Sequence, residues 1–112
     1  MTRPGPDITV QRAADAAADG QVLLLDVRED DEWAAGHAPG AVHVPLGALR
    51  AADLPTDRPV VAVCRSGNRS GVAAAALAQA GLEVVNMAGG MTAWAAAGLP
   101  VVTTDGSPGQ VR

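Results

Sequence analysis

The chain is expected to fold as an α/β domain with a parallel sheet covered by helices on both faces. Three observations predict this. Short, wholly apolar runs such as Val22-Leu23-Leu24-Leu25 and Val60-Val61-Ala62-Val63 suit strands buried on both sides. Alanine-rich stretches stopped by glycine suit helices, and the two kinds of segment alternate along the chain.

Each element has its own warrant. Residues 1–6 are Pro/Gly-rich and are expected to be flexible, and Ile8-Thr9 can start a short strand. Val10 to Asp19 reads as a helix stopped by Gly20, and Val22 to Asp26 as a buried strand ending in a carboxylate. Asp30 to Ala35 suits a short helix whose acids Asp30, Asp31 and Glu32 lie at its positive end. Ala41 to Val44 suits a short strand ended by Pro45, with a weak helix over Leu46–Ala52. Val60 to Val63 is the clearest strand, and Arg69 to Ala80, stopped by Gly81, is the strongest helix. Glu83 to Met87 forms the next strand, and Gly90 to Ala97 a last helix ended by Gly98 and Pro100. Residues 103–112 are expected to be a disordered tail, leaving one domain over residues 7–102.

Composition removes several function classes. Of the 112 residues 24 are alanine, which favours close helix-on-sheet packing around a single core. Lysine is absent, so a Walker-type lysine and a Schiff-base lysine are excluded. Without Tyr or Phe there is no stacking platform for single-stranded nucleic acid, and a net charge of −4 argues against a phosphate-backbone partner. A single cysteine excludes an internal disulfide, a Cys-rich zinc site and an iron–sulfur cluster. The apolar runs are too short to span a membrane and no secretory signal is visible, so a soluble cytoplasmic protein is expected.

The chemistry concentrates in Cys64-Arg65-Ser66-Gly67-Asn68-Arg69-Ser70, between a buried strand and a long helix. In parallel α/β sheets the functional crevice lies at the carboxyl ends of the strands. A cysteine there meets the unpaired N–H groups of the helix start, and Arg65 and Arg69 add positive charge. Each influence favours thiolate over thiol, which makes Cys64 the candidate nucleophile. Gly67 and Asn68 tolerate the dihedrals of a tight cradle in which successive amides point inward. The plain alternative is a small buried hydrophobe at a strand end.

Together with two flanking motifs, this loop resembles the rhodanese (thiosulfate sulfurtransferase) homology family in its single-domain form, over about residues 8–102. The first motif is Asp26-Val27-Arg28 followed by Glu32-Trp33 and Gly36-His37-Ala38-Pro39-Gly40-Ala41; the second is Gly89-Gly90-Met91-Thr92-Ala93-Trp94. The resemblance implies a three-layer fold with a five-stranded parallel central sheet. It also implies that Cys64 cycles through a persulfide held by the backbone amides of Arg65, Ser66, Gly67, Asn68, Arg69 and Ser70, with no metal or organic cofactor. The implied partners are a small anionic sulfur donor, thiosulfate or a persulfide, and a thiol, a thioredoxin-like protein or cyanide as acceptor. Cell-cycle phosphatases share a similar fold, but their loop holds one residue more between its cysteine and its arginine. The four residues between Cys64 and Arg69 make a smaller cradle, which suits sulfur better than phosphate or arsenate. A non-catalytic partner-binding module is the other alternative.

The remaining candidates have simpler explanations. Asp26 and Arg28 either line the pocket mouth or form a structural ion pair. His37 and His43 have no ligand set around them, and His37 is expected to fix backbone through its ring nitrogens. Trp33 and Trp94 are expected to pack, and Gly89-Gly90 to turn the chain into the last helix.

Overall fold

A computed structural model describes residues 7–55 and 57–112. The expectation for residues 1–6 falls outside it. Four parallel strands form the sheet: β1 (Leu23–Asp26), β2 (Val42–His43), β3 (Val60–Val63) and β4 (Val84–Asn86), in the order β2-β1-β3-β4. Leu23 to Asp26 pair in register with Val60 to Val63, and Val60 to Ala62 with Val84 to Asn86. Both central strands are buried along their whole length, as uninterrupted apolar runs require.

The helices are α1 (Val10–Ala18), α2 (Asp30–Ala35), α3 (Asn68–Gln79) and α4 (Gly90–Ala96). Alternation along β1 and β3 separates two apolar layers. Leu23, Leu25, Val60 and Ala62 pack toward Ala73, Ala74 and Leu77 of α3. Leu24, Val61 and Val63 pack on the other face with Ala13 of α1 and with Met91 and Trp94 of α4. Alanine on α1 and α3 lets the helix backbones approach the sheet closely. Thr9 caps α1 by accepting the Arg12 N–H.

Three expectations are corrected. Among the described residues the sheet has four strands, not five: at the fifth position Ile8 makes a single parallel bridge to Met87, with its N–H on Asn86 O and its carbonyl accepting from Ala88. Thr9 caps α1 at once, so the strand cannot continue past Ile8. The weak helix over 46–52 is two short 3₁₀ turns, Leu46–Ala48 and Ala51–Asp53, in a stretch interrupted by extended residues Leu49 and Arg50. The tail expected to be disordered folds back instead. Gly109 N–H donates to Val101 O and Gln110 N–H to Ala35 O, and Val111 packs on the core. The reversal is made by a turn in which Asp105 accepts from the Thr103 hydroxyl and the Ser107 N–H.

Candidate active site

β3 runs directly into Cys64, and α3 begins four residues later, so the loop is short and held at both ends. Gly67 caps α3 with φ of 101°, a conformation that favours glycine. That geometry turns its N–H onto Cys64 Sγ at 3.0 Å. Ser70, one turn into α3 and fully buried, brings its hydroxyl to 3.2 Å from the same sulfur. Burial pushes the Cys64 thiol up, but the Ser70 hydroxyl and the N–H groups of Ser70, Gly67 and Ser66 outweigh it. The thiol is therefore held below its ordinary range. Cys64 itself is 0% exposed.

The start of α4 locks the other side of the loop. Met91 N–H donates to Cys64 O at 2.8 Å and Thr92 N–H to Arg65 O at 2.9 Å. These bonds need Gly90, whose φ is +59° and where a Cβ would lie 2.4 Å from Cys64 O. The expected turn at Gly89-Gly90 is thus also a close backbone approach, a role that local sequence alone did not reveal.

The arginines divide. Arg65 is exposed beside the loop, whereas Arg69 places both terminal nitrogens on Glu32 of α2, at 2.6 and 2.8 Å. The Arg69 bonds, set against some burial and aided by the Glu29 N–H, hold the Glu32 carboxyl down at about 2. Arg69 is correspondingly raised. The helix-start amides expected to favour the Cys64 thiolate do so, joined by the Ser70 hydroxyl, whereas Arg69, expected to add its charge there, is committed to Glu32. Ser66 and Asn68 are exposed, and of the loop amides that of Gly67 hydrogen-bonds the sulfur.

Asp26 and Arg28 do not line a pocket mouth. Both are fully buried, and the guanidinium grips the carboxylate through Nε and a terminal nitrogen, at 2.8–3.0 Å, while also donating to Gly36 O. His37 donates from Nδ1 to Trp33 O and His43 from Nε2 to Arg28 O, so both rings fix backbone. Trp33 stacks against each of them, with centroids 3.5 and 4.8 Å away. Trp94 is buried and donates to Pro100 O.

Two site residues were not singled out in the sequence as site partners. Glu32 was explained by the helix dipole alone, although it is also Arg69's partner. Asn86 ends β4 and bridges the loop, donating from Nδ2 to Gly67 O at 3.0 Å and facing Ser70 Oγ with Oδ1 at 2.5 Å. Its only signal in the sequence is a polar residue at the end of a buried apolar strand.

A parallel α/β sheet that ends one central strand in a buried cysteine, against the start of the following helix, defines the class of cysteine-loop α/β domains. Comparison with known proteins narrows this. The family model described as Rhodanese-like domain matches residues 9–97, and the chain belongs to that family. It is 44% identical over 99 residues to a protein named sulfurtransferase from Allochromatium vinosum, covering 86% of this chain and 90% of that one. It is 43% identical over 79 residues to YtwF of Bacillus subtilis, which also carries a sulfurtransferase name, covering 69% and 77%. In relatives from Synechocystis and Mycobacterium tuberculosis the match spans 50% and 40% of the longer chain. Among solved structures, a rhodanese-related protein from Thermoplasma volcanium superposes with a TM-score of 0.82 at 30% identity, covering 88% of this chain and 98% of that one.

Proposed function

We propose that the chain is a rhodanese-type sulfurtransferase that moves a sulfane sulfur through a persulfide on Cys64. The observation that carries this is the convergence of the Ser70 hydroxyl and the Gly67 amide on Sγ, at 3.2 and 3.0 Å, at the start of α3. Such a cradle stabilises negative charge first on the thiolate and then on the terminal sulfur of a persulfide. The sulfurtransferase names of relatives support the same reading.

In the first step the Cys64 thiolate attacks the outer sulfur of thiosulfate or of a persulfide donor. The donor's S–S bond breaks and sulfite, or a thiolate, leaves with the electron pair. An acceptor thiolate, or cyanide in an assay, then attacks the terminal sulfur of Cys64–S–S⁻ and regenerates the Cys64 thiolate. With one cysteine in the chain no resolving thiol exists in cis, so the acceptor is a second molecule, a small thiol or a thioredoxin-like protein. Exposed Arg65 suits an anionic donor. A free thiol nucleophile fits a reducing compartment such as the cytoplasm. No helix among the described residues is long and apolar enough to cross a membrane.

Intact-mass spectrometry after incubation with thiosulfate, beside Cys64→Ala, tests the proposal. The expected result is a gain of one sulfur in the wild type alone, removed by cyanide with release of thiocyanate. A gain only with glutathione persulfide or polysulfide keeps the mechanism and changes the donor. No gain with any donor overturns the reading in favour of a partner-binding module.

A further inference from the structure

Asn86 is buried at the end of β4, in register with Ala62 two residues before the nucleophile. A polar side chain in such a place needs partners on both of its ends. Its Nδ2 donates to Gly67 O, and that bond fixes the amide's orientation. Oδ1 is thereby aimed at Ser70 Oγ, 2.5 Å away. Ser70 Oγ also lies 3.2 Å from Cys64 Sγ. A serine hydroxyl has one proton and here meets two acceptors.

We propose that Asn86 is a positioning residue for the nucleophile, holding the Ser70 hydroxyl beside Sγ and competing with the sulfur for its single proton. In the thiol state the Cys64 S–H donates to Ser70 Oγ, and the Ser70 hydroxyl donates to Asn86 Oδ1. When the thiol proton leaves to solvent or to a base, the Ser70 hydroxyl rotates and donates to the thiolate. Asn86 Oδ1 then loses its donor and faces the lone pairs of Ser70 Oγ. The carboxamide thus favours the thiol state, and Ser70 favours the thiolate. The Nδ2 bond to Gly67 O anchors the loop, while the competition for the proton runs through Ser70, which separates this role from that of a mere loop anchor. The inference concerns the same site as the proposed sulfur transfer but does not depend on sulfur being transferred.

The charged groups around the sulfur are few. Arg65 lies on the loop, Arg69 at the start of α3 is paired with Glu32 of α2, and Asp26 and Arg28 at the end of β1 are paired with each other. The Asp7 carboxylate stands 3.5 Å from Asn86 Nδ2.

With one cysteine and no tyrosine, the thiolate's ultraviolet absorbance titrates Cys64 cleanly in the full chain. Asn86→Leu is expected to lower the titration midpoint by about half a pH unit, and Ser70→Ala to raise it by a similar amount. In the Ser70→Ala background, Asn86→Leu is expected to leave the midpoint unmoved. An Asn86→Leu midpoint that rises or stays put, or that shifts equally without Ser70, overturns the proposal. Circular dichroism checks that each variant folds. Should Asn86→Leu not fold, Asn86→Asp replaces it: a carboxylate that keeps the acceptor and adds charge raises the midpoint by about one unit, and an unmoved midpoint overturns the proposal. A wild type that gains no sulfur from any donor yet shows these shifts retires the sulfurtransferase reading and leaves the role of Asn86 standing.

Discussion

Arg69 of the cysteine loop and Glu32 of α2 are joined by two hydrogen bonds of 2.6 and 2.8 Å across 37 residues of chain. The same carboxylate accepts the Glu29 N–H at 3.0 Å. One side chain therefore caps a short helix and ties that helix to the start of α3, beside the nucleophile.

Glu32→Gln keeps the shape and removes the charge. The pair is partly exposed, so the loss of stability is expected to be about 1 kcal/mol. Its pH dependence has a definite sign. The folded carboxyl is depressed to about 2, so its contribution is present above the ordinary glutamate range and fades as pH falls toward 2. Thermal melts of wild type and Glu32→Gln are expected to converge over that acid range. A constant gap down to pH 2 would show that the ion pair is not what the variant lost.

Ser70→Ala removes the side-chain donor to Cys64 Sγ. Thiolate at neutral pH is expected to fall about threefold, and the rate of alkylation by iodoacetamide to fall with it. Because the folded thiol is depressed, the wild type also gains stability over Cys64→Ala as pH rises through the folded midpoint toward that of the unfolded thiol, and loses that gain as pH falls back. Melts at neutral and alkaline pH check the second statement.

Arg28→Met leaves the Asp26 carboxylate buried without its partner. The expected cost is about 3–5 kcal/mol in denaturant unfolding, and Asp26→Leu added to it is expected to recover part of that loss. A variant with full stability but weakened donor binding would instead return this pair to the pocket mouth.

Gly90→Ala places a Cβ within 2.4 Å of Cys64 O at a positive φ. Both backbones must shift, and a loss of about 2–4 kcal/mol is expected together with a large fall in persulfide formation. The control is Gly98→Ala, where φ is +76° but nothing lies within 4 Å of the new Cβ. It is expected to cost about 1–2 kcal/mol in melts and to leave persulfide formation intact.

Much of this protein is legible in its residue order. The continuous apolar runs of β1 and β3 could only be strands covered on both faces, and the alanine helices with glycine stops supply the covers. The cysteine loop is local as well: strand, Cys64, Gly67 and helix lie within one short segment, so the backbone amides that reach the sulfur follow from neighbouring residues. Glycine at 67 and serine at 70 are chemically readable without a structure.

What tertiary structure alone decided is which long-range partners complete that loop. Arg69 looked free to assist the thiolate until packing brought Glu32 onto it. Asp26 and Arg28 looked available until the sheet buried them together. Asn86 looked like one residue within the strand over Glu83 to Met87, and became a bridge only because β4 lies beside β3. The tail looked too polar to order itself, but its backbone finds acceptors at Ala35 and Val101. Local propensity is set by neighbours in sequence, whereas charge pairing and buried hydrogen bonding are set by whichever groups the fold brings within about 3 Å.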